Sequence, residues 1–177
     1  MAVPVILVLS LIPDVDLLFQ RLQLEHRGPT HSVVMAFLVF VPIFAVYRKQ
    51  AIPYFIALIS HSLIGDYIVG GRIQLLWPLT TQYYGLPISI GSLTDVVLEW
   101  IVFILASIVM LKTGDLAWFL KPHKSNLILA VPVFAVLLPT VLSYPLNVPV
   151  SLLLPHVFYI ILFMWSIAIA LRSVLRK

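Results

Sequence analysis

"VSLLLPHVFYIILFMWSIAIAL", residues 150–171, runs 22 positions without an Asp, Glu, Lys or Arg. At 1.5 Å per residue a helix of that length extends about 33 Å, enough to cross the ~30 Å hydrocarbon core of a bilayer. Five more apolar segments precede it, at 2–12, 32–47, 52–69, 96–111 and 127–142. Because they recur along the chain, a cleaved signal peptide does not explain them. The composition agrees: 62% of the residues are hydrophobic and 10% charged, against roughly a quarter charged in soluble domains. The expected fold is all-α, a polytopic transmembrane helical bundle of about five to six spans. No repeat, low-complexity tract or soluble linker divides it, so a single integral membrane domain over 1–177 is expected.

The segment at 2–12 covers only about 17 Å. It either stops inside the bilayer or lacks an upstream piece, and a homo-oligomer in which another copy completes it is among the expectations. Pro132 and Pro139 loosen the segment at 127–142, which is tolerated where neighbours satisfy the freed carbonyls. The chain has no cysteine, which excludes disulfides and thiolate metal ligands. The net charge of +4 sits in loops flanking the spans, so the expected partners are membrane lipids and not nucleic acid.

Positive charge orients the bundle. Arg48, Lys49, Lys112, Lys121, Lys124, Arg172, Arg176 and Lys177 fall on one side if each span crosses once, against Arg21, Arg27 and Arg72 on the other. The first set is cytoplasmic by the positive-inside rule. "LEHRGPTHS" (24–32) and "GGRIQLLWPLTTQYYG" (70–85) then face outward, with Trp77, Tyr83 and Tyr84 suited to an interfacial belt.

Counted along helices from the cytoplasmic end, Asp14, His61 and Asp66 reach about 18, 14 and 21 Å. They share a layer with His31, which opens the second span, and with Glu99, about one turn into the fourth. A carboxylate near the bilayer centre costs about 2.5 to 3.5 kcal/mol, so something must offset it. Oxygen and imidazole donors without sulfur suit Zn²⁺, Mn²⁺, Fe²⁺ or Mg²⁺. The sharp expectation is a metal site within 12–100.

Each motif also has a plainer role. In "IPDVD" (12–16), Asp14 and Asp16 would cap the turn after Pro13, although two carboxylates beside an apolar segment without a nearby cation favour ligation. In "HRGPTHS" (26–32), Thr30 suits a helix N-cap after a Gly28-Pro29 turn, which leaves His26 and His31 unexplained. Arg27 is either an outer-surface cation or a clamp for a phosphate or developing oxyanion. In "HSLIGDY" (61–67) the histidine and aspartate are five apart, about 140° out of phase on an α-helix. Either Gly65 relaxes the helix through a π-bulge, or only one of the two ligates. A lone mid-span histidine would ordinarily hydrogen-bond to a neighbouring helix. Glu99 suits a ligand, a general acid or a partner for Arg72 or Arg27. His156 is assigned to packing and His123 to a solvated loop.

The order "LIPDVDLL" (11–18), "HRGPTHS", "SHSLIGDY" (60–67), "LLWPL" (75–79), with a glutamate early in the following helix, resembles the membrane-bound metal-dependent hydrolases. This prokaryotic family includes the YdjM-type inner-membrane proteins and is distantly similar to zinc-dependent phospholipase C and P1-type nucleases. The resemblance implies metal-site roles for Asp14, Asp16, His26, His31, His61 and Asp66. In the relatives the third-span histidine and aspartate stand four apart.

The expected function is therefore a membrane-embedded hydrolase of an ester or phosphoester, lipid-like in substrate, with its site on the extracytoplasmic side. A divalent metal, zinc foremost, would activate water; Glu99 or Asp16 would relay protons and Arg27 would steady the anion. Two rivals stand beside it. A metal- or proton-coupled transporter would need polar footing on both sides of the barrier, and the inner halves of the spans carry no ionisable side chain. A non-catalytic protein with a structural metal would need a closed ligand set.

Overall fold

The computed structural model describes residues 3–22, 26–143 and 148–176. Lys177 and the side chain of Arg21, both counted in the charge argument, lie outside the described residues. Those described are mostly helical, apart chiefly from a loop over 71–92, with no strand beyond a single bridge between Ile73 and Tyr84. Four helical stretches are long and apolar enough to cross a membrane: Val33–Gly70, Leu93–Thr113, Lys124–Val141 and Val150–Leu175. The first is two helices folded back to back. Helix α2 (Val33–Tyr47) ends where Arg48 adopts φ 53°, and a short 3-10 turn leads into α3 (Ile52–Ser60). Phe40 stacks on Phe55 across this hairpin at 4.3 Å between ring centres. The candidate spans therefore number four, one of them a two-armed hairpin, and the expected count of five to six is approximate.

The short opening segment is helix α1 (Val3–Leu11), which passes into a 3-10 helix over Ile12–Leu22. Pro13 stands at that change of geometry.

The chain divides into two compact units. One comprises Leu9–Asp95 and carries the α2–α3 hairpin with the loop that follows it. In this unit α2 buries none of its residues, and Phe37, Leu38 and Val46 are exposed. Such a surface would be insoluble in water and suits lipid tails.

The other unit comprises Met1–Val8 and Val96–Lys177. It contains most of α4 (Leu93–Thr113), the single turn α5 (Leu116–Phe119), the helix Lys124–Val141 and the helix Val150–Leu175. Phe119 and Phe163 meet at 5.7 Å and are almost wholly buried, with Leu129 and Val133 also in the core. Lys124–Val141 is irregular. It changes from 3-10 to α to π geometry at Val133–Leu137 and back to α at Leu138. Pro139 supplies no N–H to an earlier carbonyl, and such a gap is accommodated by local rearrangement of the ladder.

Candidate metal centre

Three pieces of Leu9–Asp95 bring the polar residues together. The first is the 3-10 helix Ile12–Leu22. At three residues per turn, side chains two apart point about 240° around the axis, so Asp14 and Asp16 meet different neighbours. Asp14 Oδ1 lies 3.3 Å from His31 Nε2 and 3.2 Å from His61 Nε2. Asp16 faces away from these atoms: its Oδ1 is 2.9 Å from His26 Nδ1, and its Oδ2 accepts from Thr30 Oγ1 at 2.6 Å and lies 3.4 Å from His31 Nδ1.

The second piece is the turn before α2. Gly28 and Pro29 lead into a 3-10 turn, Pro29–His31, closed by His31 N–H donating to Gly28 O at 3.1 Å. The expected N-cap, Thr30, is not the cap. Ser32 takes that place, its hydroxyl oxygen accepting from the backbone N–H of Val34 and Met35. That hydroxyl also contacts Leu75 O and Trp77 O at 3.2 and 2.5 Å, which ties "HRGPTHS" to "LLWPL". Thr30 is thereby released to hold Asp16, a role hidden in the sequence by its resemblance to a cap.

The third piece settles the five-residue spacing. Continuing from α3, His61–Gly70 is a π-helix, in which i→i+5 hydrogen bonding brings residues five apart onto one face. His61 Nε2 and Asp66 Oδ2 are accordingly 3.4 Å apart, and Asp66 Oδ2 is also 3.4 Å from His31 Nε2.

Four donor atoms thus converge: Asp14 Oδ1, His31 Nε2, His61 Nε2 and Asp66 Oδ2. His61 Nε2 and Asp66 Oδ2 are buried and form no hydrogen bond, although each has another donor atom at 3.2 to 3.4 Å. The separation suits a hydrogen bond and the direction does not, as when lone pairs aim at a shared centre. Two overlapping groups, His31-His61-Asp66 and Asp14-His26-His31, each place their donor atoms within 4.8 Å of one another, as the ligands of a metal ion require. His26 belongs to the second group only, with its Nδ1 on Asp16. The burial is uneven: the side chains of Asp14, His26 and His61 keep 19%, 13% and 12% of their surface, against 0% for His31 and 1% for Asp16.

A family model described as YdjM inner membrane protein matches residues 1–148. The chain belongs to the YdjM inner membrane protein family. That description and the apolar helices make it a membrane protein. No curated protein and no solved structure matches the chain.

The electrostatics of this YdjM-family cluster follow from crowding. Burial pushes the Asp14 carboxyl up, but the charge of His61 and the contact with His31 outweigh it and hold the group well below the ordinary carboxylate range. Asp16 is likewise pushed up by burial and pulled further down by His26, His31 and Thr30. Burial favours a neutral His31, yet its contacts with Asp14 and Asp16 and the charge of Asp66 raise it to about 9. A carboxylate on each side of one imidazole is the physical cause.

Of the remaining predicted residues, Arg27 borders the cluster. The Arg27 guanidinium faces Asp66 Oδ1 and Gly70 O. Glu99 is carried by α4, in the portion assigned to the other unit. His156 Nδ1 contacts Leu152 O at 2.8 Å one turn back on its own helix, and His123 stacks on Trp118 at 4.1 Å. Sequence reasoning overlooked Ser32 as the cap and Gly70 and Gly71 as neighbours of Arg27. The tandem glycine was the available signal.

Proposed function

We propose that Asp14, His31, His61 and Asp66 hold a zinc ion, and that the chain is a membrane-embedded hydrolase of an ester or phosphoester, lipid-like in substrate, at the outer leaflet. One observation carries the metal assignment. Four separations within the quartet are 3.2, 3.3, 3.4 and 3.4 Å. The edge of a regular tetrahedron is about 1.63 times its centre-to-corner distance, so zinc at about 2.0–2.1 Å from N and O donors needs edges of about 3.3–3.4 Å. Octahedral magnesium at a similar bond length would need neighbours about 2.9 Å apart, and its preference for oxygen fits two imidazoles poorly.

A zinc ion supplies Lewis acidity and a nucleophile at neutral pH. The chain's own residues do the rest. Asp16 takes the Nδ1 side of His31, so that Nε2 is the nitrogen turned to the quartet, a carboxylate–histidine pairing that fixes ring orientation at metal sites. Substrate would approach on the less buried side, at Asp14, His61 and His26, with His26, backed by Asp16, placed to exchange a proton. The proton-relay role expected of Glu99 rests on the sequence alone, and Glu99→Gln, with zinc content unchanged and hydrolysis lost, is its test. The choice of a phosphoester rests on the resemblance expected from the sequence motifs to zinc-dependent phospholipase C and P1-type nucleases.

A second reading has its own support: four protein donors, which leave no position for water, are how structural zinc sites are closed. Metal analysis separates the readings when paired with a hydrolysis screen over phospholipids and simpler phosphoesters. The expected result is about one zinc per chain, lost in His31→Ala, with chelator-reversible hydrolysis. Purified protein without stoichiometric metal would overturn the proposal, and bound zinc without hydrolysis would favour the structural reading.

A further inference from the structure

We propose that Arg27 is a positioning residue for Asp66, and that Gly70 and Gly71 seat its guanidinium. The observations are independent of the metal, although the first readout below rests on the zinc reading.

Asp66 divides its two oxygens. Oδ2 faces His31 and His61, both at 3.4 Å, while Oδ1 lies 3.4 Å from Arg27 Nε. Arg27 is held in turn, since Nη1 donates to Gly70 O at 2.5 Å and its backbone carbonyl accepts from Gln74 N at 3.0 Å. The carboxylate therefore has a cation behind it and presents one oxygen forward. For a group buried in an apolar helix, that cation also offsets desolvation.

The backbone shows what this arrangement costs. Arg27 has φ 67°, the left-handed region that non-glycine residues rarely adopt. The π-helix ends with two glycines where the guanidinium arrives. A Cβ on Gly70 would sit 2.8 Å from Arg27 Nη2 and 2.9 Å from Gly65 O. On Gly71, whose φ is 110°, it would sit 3.3 Å from Arg27 Nη1 and 2.8 Å from Ile88 O. Space for this side chain is thus built into both residues. A lysine, a point charge without the planar fork, cannot serve Asp66 and Gly70 O together.

This role differs from an anion clamp, which would need the guanidinium turned toward substrate. Two measurements on the full chain in detergent test it. Zinc affinity, by competition with a chromophoric chelator, should fall about 10- to 100-fold in Arg27→Gln and in Gly70→Ala, with a changed visible spectrum of the Co²⁺-loaded protein and partial recovery in Arg27→Lys. In chelator, without metal, Asp66→Asn should restore most of the unfolding temperature lost in Arg27→Gln, as expected of two groups in direct contact. Wild-type affinity and spectrum in Arg27→Gln, or additive losses in the double variant, would overturn the proposal. A coupled pair in a protein that binds no zinc would uphold it while removing the proposed function.

Discussion

Deleting Gly65 should leave zinc binding nearly intact, whereas inserting one alanine between Ile64 and Gly65 should nearly abolish it. The reason lies in the register of the third span. His61 and Asp66 share a face only because His61–Gly70 is wound as a π-helix. Removing one residue makes the spacing four, which an ordinary α-helix places on one face, about 40° apart. The segments on either side then keep their phase, and Gly65 has no side chain to lose. An insertion instead turns Asp66 a further 100° or so around the axis and carries Gly70 with it. One of four donors is then lost. Structural zinc binds with about 10–16 kcal/mol, or about 2.5–4 kcal/mol per donor, so affinity should fall on the order of 100- to 1,000-fold. The deletion should stay within about tenfold of wild type. A zinc titration against a chromophoric chelator reads both. If deletion weakened binding as much as insertion, or insertion left it unchanged, the register argument would be wrong.

Zinc uptake should release protons. His31 stands at about 9 in the folded chain against its ordinary 6.5, so its ion pairs stabilise the metal-free fold fully below pH 6.5 and lose that contribution as pH rises through 9. Zinc requires the neutral imidazole, so affinity should rise over the same window, with about one proton from His31 released per zinc at pH 7, measured in a weakly buffered indicator solution; uptake without proton release would contradict the His31 assignment. Ser32→Ala removes the α2 cap and the link to Leu75 O and Trp77 O, and should cost about 1–2 kcal/mol in denaturant unfolding; an unchanged midpoint would show that the motif is held otherwise. Because the chain lacks cysteine, single substitutions report topology: Arg72→Cys should react with an impermeant maleimide on intact cells and Lys121→Cys only after permeabilisation, and the reverse pattern would turn the site to the cytoplasm.

The fold was legible because a bilayer demands few things. Segments such as 150–171 must be long and apolar, and their backbone must satisfy itself. Less visible was the continuity of Val33–Gly70, where Arg48 reverses the chain with a left-handed residue that sequence alone does not mark. Within the cluster, Asp14, His31, His61 and Asp66 could be anticipated from helix rise, since depth along an apolar helix is nearly a linear count. Direction around the axis could not, because it depends on which helical form the backbone takes. Hence the division of labour between Asp14 and Asp16 emerges only from the 3-10 winding, and the meeting of His61 with Asp66 only from the π winding. Thr30 was hidden because a hydroxyl before an apolar run suits a cap wherever it points, and Ser32 stands two residues later with the same chemistry.

Charge balance joins the metal reading to the arginine. Asp14, Asp16 and Asp66 bring three negative charges into a largely buried cluster, and Arg27 brings one positive. Two remain to be neutralised. A divalent ion supplies them while leaving every imidazole neutral, the form in which it ligates. Without a metal the same two charges must be made up by protons, and His31, held up to about 9 between Asp14 and Asp16, carries one of them. The cluster is therefore matched to a dication, and Arg27 sets that match: remove it, and a divalent ion leaves one carboxylate uncompensated in the helix that crosses the membrane. Loss of Arg27 should for that reason weaken zinc more than loss of an exposed cation such as Arg72, and neutralising Asp66 together with it should bring the sum back into balance even though a donor is gone.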